Sequence, residues 1–232
     1  GRGFDPLCPL QNFKMETNDK ELTIDELFVR ATKFHQKNNL EKAKELYYKI
    51  LSKDSNFISA HNNLGLIFKN TQQIEKAKIC FEKVIEINSE IAEPHNNLGL
   101  IFQMLGENEK AVNCYRKSIK IDPNYSSAYY NIGSLFQKIG NTEIAKTNYK
   151  KAIEIKPNYV EAYNNLGILC NQINENENSI SYFKKAININ SSYYDAYFNL
   201  ALVFDKIGQS EKAINFYKEA IKVNPNFSNA YN

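Results

Sequence analysis

Large apolar side chains recur along this chain at separations of three and four, in two short runs followed by a break. In residues 126–159 the first run is Tyr129, Ile132 and Phe136, and the second contains Tyr149 and Ile153. Such spacing collects apolar groups on one face of an α-helix, so each run predicts an amphipathic helix and each pair of runs a helical hairpin. The pattern then returns every 34 residues. HNNLGLIF spans His61 to Phe68 and again His95 to Phe102. Related octets run from Tyr129 to Phe136, Tyr163 to Cys170 and Tyr197 to Phe204, with a worn copy, LFVRATKF, at Leu27 to Phe34. A fixed step of this size marks stacked helical repeats. Six whole units run from Ile24 to Phe227, residues 1–23 stand outside the pattern, and residues 228–232 begin a seventh unit.

With each unit numbered 1 to 34, the columns have separate physical readings. Position 8 is Ala31, Gly65, Gly99, Gly133, Gly167 and Ala201, and position 20 is Ala43, Ala77, Ala111, Ala145, Ser179 and Ala213. Small residues at both places let the two helices of a hairpin approach closely. Position 15 is Gly106, Gly140 or Gly208 in three units and Asn38 or Asn174 in two, residues that tolerate the left-handed backbone of a helix stop. Positions 31 to 33, as in Asp122-Pro123-Asn124, end the second helix, because proline removes a backbone donor and clashes with a continuing turn.

Small residues at 8 and 20, Pro at 32 and aromatics at 4, 11 and 24, all on a 34-residue step, closely resemble the tetratricopeptide repeat from Ile24 to Phe227. The resemblance implies an all-α fold, a right-handed α-solenoid or superhelix of stacked antiparallel helix hairpins. Two departures stand out. Position 4 never holds Trp in the well-formed units, and position 32 is Ser in three of the six units (Ser55, Ser89 and Ser191), which predicts looser local packing there.

Composition narrows the function. The chain has 29 basic and 26 acidic residues and a net charge of +3, too even a mixture for a protein built to grip phosphate backbones, so no nucleic-acid partner is expected. No run of 18 apolar residues is present, so no membrane span is expected either. Cys80 and Cys114 share position 23 of adjacent units, on the order of 10 Å apart and beyond disulfide reach. No Cys-x-x-Cys spacing suggests a metal. Free thiols point to an intracellular, reducing, cytoplasmic setting. His61, His95 and His35 read as packing residues, and no nucleophile with a base or glycine-rich phosphate loop appears, so neither an enzyme activity nor a cofactor is expected in this chain.

One column is not demanded by packing. Position 6 is Asn63, Asn97, Asn131, Asn165 and Asn199 in five successive units. At roughly 100° per residue it points about 200° from position 8, which predicts a groove-facing side chain, whereas the variable position 5 reads as peripheral. Two readings stay open. In the first, Asn is an exposed helix residue tolerated at small cost, or one that fixes the junction with the preceding unit. Alternatively its donor and acceptor can satisfy the main-chain groups of an extended peptide. The similarity to the repeats of the O-GlcNAc transferase family, which carry asparagines at this place and grip peptides with them, favours the second. On that reading the binding stripe also includes Leu66, Leu100, Ile168 and Leu202 at position 9, and Lys138 and Lys206 at position 13.

The expected function is therefore a protein- or peptide-binding scaffold with an Asn ladder. The alternative is a substrate-recruiting module of a larger glycosyltransferase- or sulfotransferase-like enzyme continuing beyond Asn232. Ending inside a unit leaves Ile221 and Val223 on an uncapped helix face, which suits either a following segment or self-association through that end. Gly1 to Lys14, ahead of Met15, reads as an appended or vector-derived segment whose Phe4, Leu7, Leu10 and Phe13 are spaced to lie in a groove.

Overall fold

The structure is a computed structural model that describes residues 22–226. The readings of Gly1 to Lys14, of Met15 and of Ser228 to Asn232 fall outside those residues. Among the described residues the fold is all-α, with no strand. The helices come in pairs: α1 (Ile24–Gln36) with α2 (Leu40–Lys53), α3 (Ile58–Asn70) with α4 (Ile74–Ile87), and α5 (Ala92–Met104) with α6 (Asn108–Ile121). Then follow α7 (Ser126–Lys138) with α8 (Thr142–Ile155), α9 (Val160–Gln172) with α10 (Asn176–Ile189), and α11 (Tyr194–Lys206) with α12 (Ser210–Val223). Every first helix occupies unit positions 1 to 13 and every second helix positions 17 to 30, so the 34-residue step of the sequence is also the step of the structure.

The chain divides into two compact units between Ile121 and Asp122, the first holding α1 to α6 and the second α7 to α12. Within each, the helices of a pair pack together and the second helix of one pair packs on the first helix of the next. In the second unit α9 also lies against α7 and α11.

Position 15 turns the chain back. Asn38, Gln72, Gly106, Gly140, Asn174 and Gly208 all have φ between 57° and 83°. Gln72 is the exception to the Gly-or-Asn expectation and adopts this backbone at some cost. Close approach at position 8 is equally plain. A Cβ placed on Gly99 would lie 2.5 Å from the Tyr115 ring, and one on Gly167 would lie 2.6 Å from Phe183. The aromatic at position 24 therefore rests on the bare backbone of its own hairpin partner.

The end of the second helix uses a device that the sequence reading assigned to proline. The position-31 side chain accepts a hydrogen bond from the N–H two residues on: Asp54 from Asn56, Asn88 from Glu90, Asp122 from Asn124 and Asn190 from Ser192, each at 2.9 Å. This Asx turn forms whether position 32 is Pro123 or Ser89. His61 and His95 then place Nε2 2.9 and 3.0 Å from the carbonyl oxygens of Ser55 and Ser89. The serine-bearing junctions are thus tied by hydrogen bonds.

The core is one layer of side chains between stacked helices. In the first unit it contains Leu27, Tyr47, Ile50, Leu64, Phe68, Phe81, Ile101 and Tyr115, all essentially buried. In the second unit Tyr149, Leu166 and Leu169 form one cluster, and Phe183, Leu200, Val203 and Phe204 another.

Candidate functional site

Within each compact unit, Asn63 and Asn97, and Asn165 and Asn199, lie on first helices where these meet the preceding pair. In the first unit Asn63 is half-buried and its Nδ2 donates to Tyr47 Oη at 3.1 Å. In the second unit Asn165 donates to Tyr149 Oη at 3.1 Å and to Tyr130 Oη at 3.2 Å. The Tyr149 hydroxyl in turn donates a hydrogen bond to Gln137 Oε1 at 2.6 Å, making a short chain of hydrogen bonds. The acceptor sixteen residues before each of these asparagines is the tyrosine at position 24.

Where position 24 is Phe no hydroxyl is available, and the outcome differs between the two units. Asn199, sixteen residues after Phe183, donates instead to Asn164 Oδ1 at 3.0 Å. Asn97, sixteen residues after Phe81, is 5% exposed, and its Nδ2 is buried without a partner. The residue matching Asn164 is Asn62. Its Nδ2 donates to Glu93 Oε1 at 3.2 Å, while its Oδ1 is buried without a partner. Asn131 is half-buried.

Two corrections follow. Position 5 is not peripheral, since Asn96 and Asn164 are 4% and 5% exposed. Position 6 does not stand clear of the fold either, because helix-to-helix stacking encloses it from the side of the preceding pair. Its donor is used internally in Asn63, Asn165 and Asn199, but their Oδ1 atoms receive no hydrogen bond from the described residues. The amide column is thus a junction on one side and a set of acceptors on the other.

The first unit brings Asn63 and Asn97 onto successive first helices with Leu66 and Leu100, which are half-buried. In the same unit Val29, at position 6 of the worn copy, is 67% exposed. The second unit carries Asn131, Asn165 and Asn199 with Ile168, half-buried, and Leu202, exposed. Lys138 is exposed, whereas the Lys206 ammonium donates to the backbone oxygen of Asn171 at 2.8 Å and to its Oδ1 at 3.1 Å, so its charge is partly engaged by the array itself. Sequence reasoning missed the phenols. Tyr130 stacks on Tyr159 at 4.9 Å and leans on Tyr149 at 5.5 Å, and burial pushes the Tyr47, Tyr159 and Tyr193 hydroxyls up to about 12. The alternation of Tyr and Phe at position 24 was the signal available.

Cys114 and Cys170 are unbonded thiols, so no bridge joins Cys114 to Cys80. Burial lifts the Cys170 thiol to about 11, which makes it inert. Nearby, the Lys146 ammonium sits 2.7 Å from both oxygens of Glu175 and, with Asn178, holds that carboxyl down at about 2. Among the described residues no group of His, Cys, Asp or Glu is placed to hold a metal, and no helix is long and apolar enough to cross a membrane.

Family profiles described as tetratricopeptide repeat match residues 58–91, 126–159, 148–180 and 194–227, and one described as TPR repeat matches 104–140. No curated protein matches significantly. Many solved structures share the fold. Pseudomonas aeruginosa pilF is 17% identical with a TM-score of 0.78, over 90% of this chain and 95% of that one. YrrB, described as a TPR protein with an unusual peptide-binding site, is 18% identical with a TM-score of 0.61, over 82% of this chain and 97% of that one. MamA is 22% identical with a TM-score of 0.61, over 74% and 94%.

Proposed function

Because the chain is built of tetratricopeptide repeats, we propose that it is a non-catalytic, protein-binding scaffold of a reducing intracellular compartment, holding an extended segment of a partner against the first helices of its hairpins. The observation that supports this reading is the amide column. The fold uses Nδ2 of Asn63, Asn165 and Asn199 and leaves their Oδ1 atoms without a protein donor, available to the main-chain N–H groups of a strand-like segment. Each such bond contributes about 1 kcal/mol net, less in total than ordering a partner costs, so affinity also needs apolar contacts. Leu66, Leu100, Ile168 and Leu202 supply them along the same faces. The peptide-binding site named for YrrB lends support at the level of fold. The alternative, a recruiting module of a glycosyltransferase- or sulfotransferase-like enzyme, is favoured by no observation among the described residues.

The test is selection of a phage-displayed library of random dodecapeptides on the intact chain. Selected peptides should lose affinity for a variant with all five asparagines changed to Ala. They should also lose it for Leu100→Lys and Leu202→Lys, which leave the junction hydrogen bonds in place. Failure to select any peptide, or binding indifferent to all three variants, overturns the reading.

A further inference from the structure

Asn199 and Asn164 are 35 residues apart in sequence and close on one another, Nδ2 to Oδ1, at 3.0 Å. Asn97 and Asn62 are the same pair one compact unit earlier, yet both atoms that would make the bond are buried and unpartnered. The difference lies in position 2 of the following hairpin. There the first unit has Glu93, whose Oε1 takes Asn62 Nδ2 at 3.2 Å and turns that amide aside. The second unit has Asp195 at the matching place. It is one methylene shorter, and no hydrogen bond ties it to Asn164; burial alone lifts its carboxyl. The pair beside the longer acid is open and the pair beside the shorter one is closed.

Leaving a buried donor and acceptor unpaired is costly unless something else completes them. A group that satisfies both must offer an acceptor to Asn97 Nδ2 and a donor to Asn62 Oδ1. A peptide unit, with its C=O and N–H on one planar group, has that chemistry.

We propose that the Asn62/Asn97 pair is the primary receptor for one main-chain amide of the partner segment, held open by Glu93, and that Asn164/Asn199 is its self-closed counterpart, which keeps only the Asn199 Oδ1 for a partner. This rests on the scaffold reading above and adds to it that binding is polarised toward the first unit. Both atoms are buried in this structure, so entry of the peptide unit requires the two amides to turn outward, which the self-closed pair of the second unit resists.

Two measurements test it. The first follows the side-chain NH2 signals of the asparagines by NMR while N-methylacetamide, a bare peptide unit, is added. The Asn97 signal should shift in a saturable way and the Asn199 signal should not; an unresponsive Asn97, or equal responses, overturns the inference. The second uses a peptide selected as above. Asn97→Ala and Glu93→Asp should each weaken it about tenfold, and Asn199→Ala less than about threefold. The melting temperature should behave the opposite way, unchanged or raised by Asn97→Ala and lowered by Asn199→Ala. Equal destabilisation by both would mean that the first pair is also closed in solution, and the inference would fall. Absence of any selected peptide while Asn97 still responds to N-methylacetamide would overturn only the scaffold reading.

Discussion

Ser118 sits fully buried at position 27 with a hydroxyl that has no partner, where the sister units carry Ala152, Ala186 and Ala220. An unpaired buried hydroxyl costs about 1–3 kcal/mol, so Ser118→Ala should raise stability by about 1 kcal/mol, read as a higher urea midpoint at unchanged slope. Gln72 holds φ at 61° where three sister units have Gly. Gln72→Gly should therefore gain up to about 1 kcal/mol by relieving the left-handed strain, the reverse of the usual loss on introducing glycine. At this scale the sequence showed the asparagine column but not its bonds. Which atom an amide reaches depends on the ring contributed by the preceding helix and on one methylene in an acid 31 residues away, and neither is a property of the column itself.

Helices were almost wholly legible, because a 34-residue step repeated six times fixes their register far better than any single window could. The stop of the second helix was read through Pro123, Pro157 and Pro225, and here the structure adds the Asx turn at position 31. The two devices are not equal partners everywhere. Beside Pro123 the turn is already preset, whereas beside Ser89 no ring fixes φ and the turn depends on hydrogen bonds, that of the Asn88 side chain among them. Asn88→Ala should accordingly cost about 1 kcal/mol and Asp122→Ala only a few tenths, compared by thermal unfolding of the two variants. An Asp122→Ala loss as large as that of Asn88→Ala would show that the proline adds nothing.

For the whole molecule, titration sets the limits of stability. The folded state holds the Glu175 carboxyl at about 2 against an ordinary 4.5, through Lys146 and Asn178. Its contribution is present above pH 4.5 and fades as pH falls toward 2, so Glu175→Gln should flatten the acid limb of a stability–pH curve. The tyrosines act at the other end. Tyr47, Tyr159 and Tyr193 are raised by burial from 10.0 to about 12, so their contribution is intact below pH 10 and lost as pH climbs through 12. Tyr47→Phe should weaken that alkaline loss in a denaturant series at rising pH. The division at Ile121 and Asp122 was invisible in the sequence, since the repeat continues through it without a change of step. A pattern that is the same on both sides carries no information about where packing is tightest.

The Asx turn carries a consequence for how such a chain can change over time. Where position 31 is Asp or Asn, a hairpin closes its second helix within three adjacent residues. A gene segment covering one hairpin can therefore be copied or dropped in frame and still fold into place, provided its ring and its small residue travel together. The two HNNLGLIF octets are identical at all eight positions, and each carries such a small residue, Gly65 or Gly99.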